Sequence, residues 1–185
     1  DIMFNEKQVQ VLSYDLDPSR IKTRDKGNVS LSYLESFDVI DTGNKIFGFG
    51  NWSYGVSELT QVSQETNQNN NVVICYKAIV SLTIYDQHHA KNISREDVGF
   101  GTGTAKSLAD AHEGGAKEAV TDALKRCFRS FGNQFGNSLY DKSRSHTAQS
   151  PRQLEQPKQH SSQPPKQLHN NAAPQEYASL YNIGL

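Results

Sequence analysis

The chain has 185 residues, 35% of them hydrophobic and 21% charged, with a formal net charge of -1. That length suffices for one domain with a substantial core, and the near-neutral balance excludes any global basic signal for a polyanionic partner. A nucleic-acid site must therefore come from local arrangement, the more so because Arg144, Arg152, Lys158 and Lys166 lie beyond residue 142 with only Glu155 and Glu176, leaving the first 142 residues mildly acidic.

Phe4 to about Leu16 reads as a short helix, capped by Asn5 with Gln8 three residues on and stapled by Phe4 on Val9. Asp17-Pro18 ends it. Ser19 to Asn28 reads as a solvated basic loop carrying Arg20, Lys22, Arg24 and Lys26. Ser30 to Leu34 alternates as a strand. Glu35 to Phe47 is helical, with Phe37, Ile40, Asn44 and Phe47 along one face and Gly48 as its stop. Asn51 to Leu59 alternates again, placing Trp52, Tyr54 and Val56 on one side.

Val72 to Tyr85 is the clearest strand, with Val72, Ile74, Tyr76, Ala78, Val80, Leu82 and Ile84 on one face. Asn67 to Asn71 is the turn before it and Asp86 to Asn92 the turn after it. Asp97 to Phe100 supplies a third strand. Three strands joined by short turns form an antiparallel meander, and a long helix starting near Ser107 packs across it. The predicted fold is α+β with a β-β-β-α core and additional short N-terminal helices and a strand.

That long helix organises the chain. Ala116, Val120, Leu124, Cys127 and Phe131 form its apolar stripe. Lys125 and Arg129, four residues apart, share another face, with Arg126 about one-third of a turn to the side. Such a helix can be fixed in a scaffold while holding phosphates, although most helical charge runs only keep an outer face wet. Gly114-Gly115 interrupts it at about 1 kcal/mol per Gly relative to Ala, as a kink or as a close approach of backbone to sheet. Gly132-Asn133 and Gly136-Asn137 suggest bends leading to a last helical piece, Ser138 to Lys142.

The bond-making chemistries find no support. GFGTGT at Gly99 to Thr104 superficially matches a dinucleotide loop, but its third Gly is misplaced and the strand order is antiparallel. There is no GxxxxGK[ST] pattern, no credible histidine metal set and no activated nucleophile, so neither cofactor, metal nor enzymatic turnover is expected. Cys75 and Cys127 are isolated and sit in apolar-periodic segments, which reads as buried free thiols in a reducing, intracellular compartment. No cleavable signal pattern begins at Asp1, and no run approaches the roughly 18 apolar residues of a membrane span. Tyr33, Trp52 and Tyr54 read as core or subunit-interface residues in preference to base-stacking ones. Ser143 to Ala173 is rich in Gln, Ser, Pro and His and is expected to be disordered. The chain thus divides into residues 1–142 and a tail, 143–185, whose apolar end (Tyr177, Leu180, Tyr181, Ile183, Leu185) suits a docking peptide.

Several motifs in order resemble the Rad52/Rad22 family of single-strand annealing proteins. They are Arg20 to Arg24 with Tyr33, NKIFGFGNW at Asn44 to Trp52, EDVGFG at Glu96 to Gly101, and AVTDALKR followed by RSFGN, a second GN and a closing DK. The resemblance covers about Phe4 to Lys142. It implies a DNA-binding, oligomerising domain whose ring of subunits joins basic grooves into one track for single-stranded DNA, phosphates inward and bases outward. Annealing in recombination and double-strand break repair then needs no ATP. It also implies that Arg24 grips the DNA backbone. Together with the helix, this gives a groove of Arg24, Lys125, Arg126 and Arg129, flanked by Lys117 and Lys142. Lys106 is the candidate for a second, weaker DNA surface. Two departures stand out: Gly114-Gly115 replaces longer residues, and uncharged Asn67 to Asn71 stands where another basic contact is expected. The alternative reading is a mediator or end-protecting factor whose tail recruits a recombinase or single-strand-binding protein. The site of action is the cytoplasm or nucleoid for a bacterial or phage protein and the nucleus for a eukaryotic one.

Overall fold

The computed structural model describes residues 3–141. The expected tail, and Lys142 with it, lie outside the described residues. In chain order the elements are α1 (Glu6–Leu12), β1 (Lys22–Lys26), β2 (Val29–Tyr33), α2 (Ser36–Phe47), β3 (Trp52–Thr66), β4 (Val72–Tyr85), β5 (Asn92–Ala105) and α3 (Leu108–Arg129). Short 3-10 turns fall at Pro18–Arg20, Asn133–Phe135 and Asn137–Tyr140.

The Asn5 side chain accepts from the Gln8 amide at 2.8 Å and Gln8 reciprocates at 3.0 Å, which is the expected capping box of α1. Phe4 packs on Phe47 and Phe131, and Val9 is left half exposed. The helix stops at Leu12, short of Leu16, where the Ser13 hydroxyl donates back to the Val9 carbonyl. Gln8 Nε2 then donates to the Ile46 carbonyl at 2.9 Å, using one of the last-turn acceptors that a helix cannot satisfy internally to join α1 to α2.

The basic stretch expected as a loop is a strand. β1 pairs antiparallel with β2 from Lys22↔Tyr33 to Lys26↔Val29, closed by a two-residue Gly27-Asn28 turn with Gly27 at φ +62°. Every β1 residue is exposed, so no hydrophobic alternation marks it. Arg20 is not solvated either. Its guanidinium grips Asp38 at 2.8–3.1 Å, Thr42 Oγ1 at 2.9 Å and the Gln134 carbonyl at 2.8 Å, tying three segments together.

In α2 the buried face is Val39, Thr42, Gly43, Ile46 and Phe47, rotated from the expected one; Phe37 is 68% exposed. Gly43 decides the rotation, because a Cβ there would lie 3.1 Å from the Phe128 ring. Phe128 in turn stacks on Phe135 at 5.0 Å and meets Trp52 edge-on at 5.1 Å.

The sheet is antiparallel in the order β3-β4-β5. Central β4 spans the expected residues and buries Ile74, Ala78, Val80, Leu82 and Ile84 on the α3 side. β3 and β5 run well beyond their expected lengths. β3 is mostly polar and carries register shifts at Val56/Glu58 and Gln61/Ser63. β5 places glycines where its inward side chains would be.

Those glycines are the reason α3 sits where it does. A Cβ at Gly99 would lie 2.2 Å from the Ala123 amide, at Gly101 2.3 Å from that of Ala119, and at Gly103 1.8 Å from the Ala111 carbonyl. The helix answers with small residues, burying Ala111, Gly115, Ala119, Ala123 and Cys127. Its deepest face is therefore rotated from the expected stripe, leaving Ala116, Val120 and Phe131 half-buried. Gly115, whose Cβ would lie 2.9 Å from the Ile74 carbonyl, is a close-approach residue within one unbroken helix. GFGTGT is thus a packing track.

Candidate nucleic-acid interface

The last two turns of α3 carry Lys125, Arg126 and Arg129, and the β1–β2 hairpin returns to meet them at Tyr33. The Arg24 guanidinium lies 5.6 Å and the Lys125 ammonium 5.8 Å from the Tyr33 ring centroid. Residues 101 positions apart in sequence thus share one aromatic ring. Lys125 is half-buried, and its Nζ donates to the Leu34 carbonyl at 3.3 Å. Burial pushes its ammonium below the ordinary lysine range; the nearby positive charges of Arg24 and Arg126 push the same way, while Asp122 and Glu118 oppose.

Arg126 is differently placed. Its Nε donates to Asp122 at 3.0 Å, and Asp122 also accepts the Phe100 amide at 3.1 Å, which pins the helix to the β5 edge. Burial alone would lower the Arg126 pKa, but the Asp122 hydrogen bond and charge outweigh it and leave it raised. Its terminal N–H groups have no hydrogen-bond partner among the described residues. Arg129 ends the helix with its guanidinium 4.0 Å from the Tyr140 ring centroid. Among the described residues neither Arg24, Lys125 nor Arg129 is paired with a carboxylate.

The other expected cations lie elsewhere. Lys117 is ion-paired with Glu113 on an exposed surface, about 12 Å up the helix from Lys125 at 1.5 Å per residue. Lys106 is exposed just before the N-cap Ser107, at the opposite end of α3, where the Val72↔Ala105 pairing ends the sheet beside the Asn67–Asn71 turn. Lys142 lies outside the described residues.

Sequence reasoning missed Arg95, Tyr140 and Asp122. Arg95 sits 5.3 Å over the Phe131 ring, and its parity with the inward glycines of β5 was the available signal. Asp122 could have been read as the i,i+4 partner of Arg126. Nothing in the spacing marks Tyr140.

Cys127 is buried with its thiol at 3.2 Å from the Val80 carbonyl, and burial pushes its pKa up to about 11. Both cysteines are free. No group of three or more His, Cys, Asp or Glu side chains is placed to hold a metal among the described residues. None of the described helices is long and apolar enough to cross a membrane.

The structure is thus a β-β-β-α domain with a flanking hairpin, in which Arg24, Lys125 and Arg129 lie against aromatic rings and Arg126 is held by Asp122. The chain belongs to the Rad52/22 family of double-strand break repair proteins, whose family model matches residues 5–159. It is 37% identical over 134 residues to the DNA repair and recombination protein rad22 of Schizosaccharomyces pombe, covering 71% of this chain and 28% of that protein. It is 38% identical over 143 residues to the DNA repair and recombination protein RAD52 of Eremothecium gossypii, covering 76% and 32%. Against RAD52 of Saccharomyces cerevisiae it is 38% identical over 117 residues, covering 63% and 24%. The matched part thus spans about a quarter to a third of these relatives' length.

Proposed function

We propose that this domain binds single-stranded DNA along Arg24, Lys125, Arg126 and Arg129 and promotes annealing of complementary strands during recombination and double-strand break repair. The observation that carries this reading is the contrast among the cations. Arg20, Lys45, Lys77 and Lys117 are paired with carboxylates, whereas Arg24, Lys125 and Arg129 lie against aromatic rings with none, as Arg95 does over Phe131; Arg126 gives its Nε to Asp122 and keeps its terminal N–H groups. A half-buried ammonium held without a counter-ion costs stability in the free protein, and a phosphate repays that cost. Neutralising phosphates releases counterions without reading sequence, which suits a protein that must accept any strand. Base pairing itself supplies the free energy of annealing, so no nucleotide is consumed and no bond-making residue is needed.

A homo-oligomeric ring would join such clusters into one track. Supporting this, β3 is an edge strand, open on the side away from β4, with Tyr54, Val56, Leu59 and Val62 about half exposed, and the sheet face turned away from α3 leaves Val98 and Phe100 open. Lys117 flanks this track less closely than its sequence position suggests, and Lys106 belongs to a separate surface. The protein would act where chromosomal or phage DNA is, in the nucleus or nucleoid.

The test is fluorescence anisotropy with a labelled oligo-dT over a range of salt, beside a strand-annealing assay and native mass measurement. Replacing Lys125 and Arg126 together by Ala should weaken binding and flatten its salt dependence with the oligomer intact. An unfolded or dissociated double variant would show these residues to be structural. Unchanged affinity and annealing would remove the reading altogether.

A further inference from the structure

We infer that Tyr140 is a positioning residue of this site, acting through Arg129; the inference rests on the single-stranded DNA reading above. Arg129 lies 4.0 Å from the Tyr140 ring centroid, closer than Arg24 or Lys125 to Tyr33 and Arg95 to Phe131, at 5.3–5.8 Å. This is also the contact that holds Arg129, since no hydrogen bond or ion pair engages that side chain among the described residues.

The ring arrives on an anchored support. Gly136, at φ +84°, bends the chain into the Asn137–Tyr140 turn, and Leu139 of that turn packs against the core. A Cβ at Gly136 would lie 3.1 Å from Leu34 Cδ1, so the turn is seated on Leu34, the residue whose carbonyl receives Lys125. One small turn thus meets Arg129 directly and Lys125 through Leu34.

The chemistry favours a ring over a carboxylate here. A guanidinium stacked on an aromatic face keeps its in-plane N–H donors for an arriving phosphate, whereas a carboxylate would occupy the same donors. Arg129 is the last residue of α3, where a long side chain otherwise samples many rotamers. Tyr140, at 55% exposure, limits that sampling while remaining outside the core.

The experiment compares Tyr140→Leu, Tyr140→Gln, Tyr140→Phe, Arg129→Ala and the Leu/Ala double variant in the full chain, by oligo-dT anisotropy with thermal unfolding as the control. Losing the ring that pre-orders Arg129 should weaken affinity by roughly two- to fivefold for the Leu and Gln variants. Tyr140→Phe should bind like the parent, and adding Tyr140→Leu to Arg129→Ala should change nothing further. All variants should melt near the parent. Failure of Phe to rescue, or an equal loss from Tyr140→Leu in the Arg129→Ala background, overturns the inference. So does parental affinity in Arg129→Ala; if Arg24→Ala with Lys125→Ala still weakens binding, the DNA reading survives that result, and if it does not, both fall.

Discussion

The two regions that carry this domain are built on opposite rules. Where α3 meets β5, backbone lies on backbone, with Gly99, Gly101 and Gly103 facing Ala111, Gly115, Ala119 and Ala123. The β1–β2 hairpin is a ribbon whose first strand is wholly exposed and whose attachment runs through Tyr33 and Leu34. Both regions bear on the same cationic cluster. One fixes its helical half by excluding every alternative seat, and the other delivers Arg24 on an arm that the core barely constrains. Placement of the helical cations thus rests on a seam into which nothing else fits, with the Asp122 bridge to the Phe100 amide as a second tie.

The largest break in this comparison should come from the seam. Gly103→Ala forces a Cβ against the Ala111 carbonyl, and the cost should be about 3 kcal/mol or more, read as a lowered urea midpoint, because backbone cannot rotate away as a side chain would. A stability within error of the parent would mean that α3 is not seated on that track. At the cluster where the two regions meet, Arg24→Ala with Lys125→Ala should leave the midpoint nearly unchanged while removing about two phosphate contacts. The single-strand salt slope should then fall by about 1.4, at about 0.7 per contact.

A smaller effect concerns pH. Lys125 titrates below the ordinary lysine range in the folded chain because burial penalises its charge. Between that lowered value and the unfolded value of about 10.4, the unfolded state binds more protons, so this group's contribution raises stability as pH climbs. A phosphate opposes the lowering, so DNA binding takes up a proton in the same window and affinity falls with rising pH. Lys125→Arg, permanently charged, should lose less affinity over that range by anisotropy at constant ionic strength. Parallel pH profiles would show that Lys125 meets no phosphate. The smallest effect should be that of Lys117→Ala, whose partner Glu113 is on the open surface: neither melting temperature nor oligo-dT affinity should move measurably.

Legibility followed the same division. β4 was plain because seven alternating apolar positions leave no other reading. β1 was hidden because a strand exposed on both faces has no hydrophobic period, although its Gly-Asn turn was there to be noticed. The face of α3 was set one residue wrong by treating large apolar side chains as the deepest, when glycines on the strand call for the smallest. In the site, Lys125 and Arg129 were visible as a helical pair, and Arg24 was reached through family resemblance and not through spacing. Arg20 was misread because its partners, Asp38 and Gln134, lie in segments that only the tertiary fold brings near. Tyr140 was beyond reach for the same reason.

A helix docked without intervening side chains has no soft layer over which to slide. A pull on the Arg129 end of α3 is therefore carried into β5, and through its full-length pairing into β4, as motion of a single stiff body. Under the single-strand reading proposed above, a load on the cationic end would strain the sheet itself and not a soft interface.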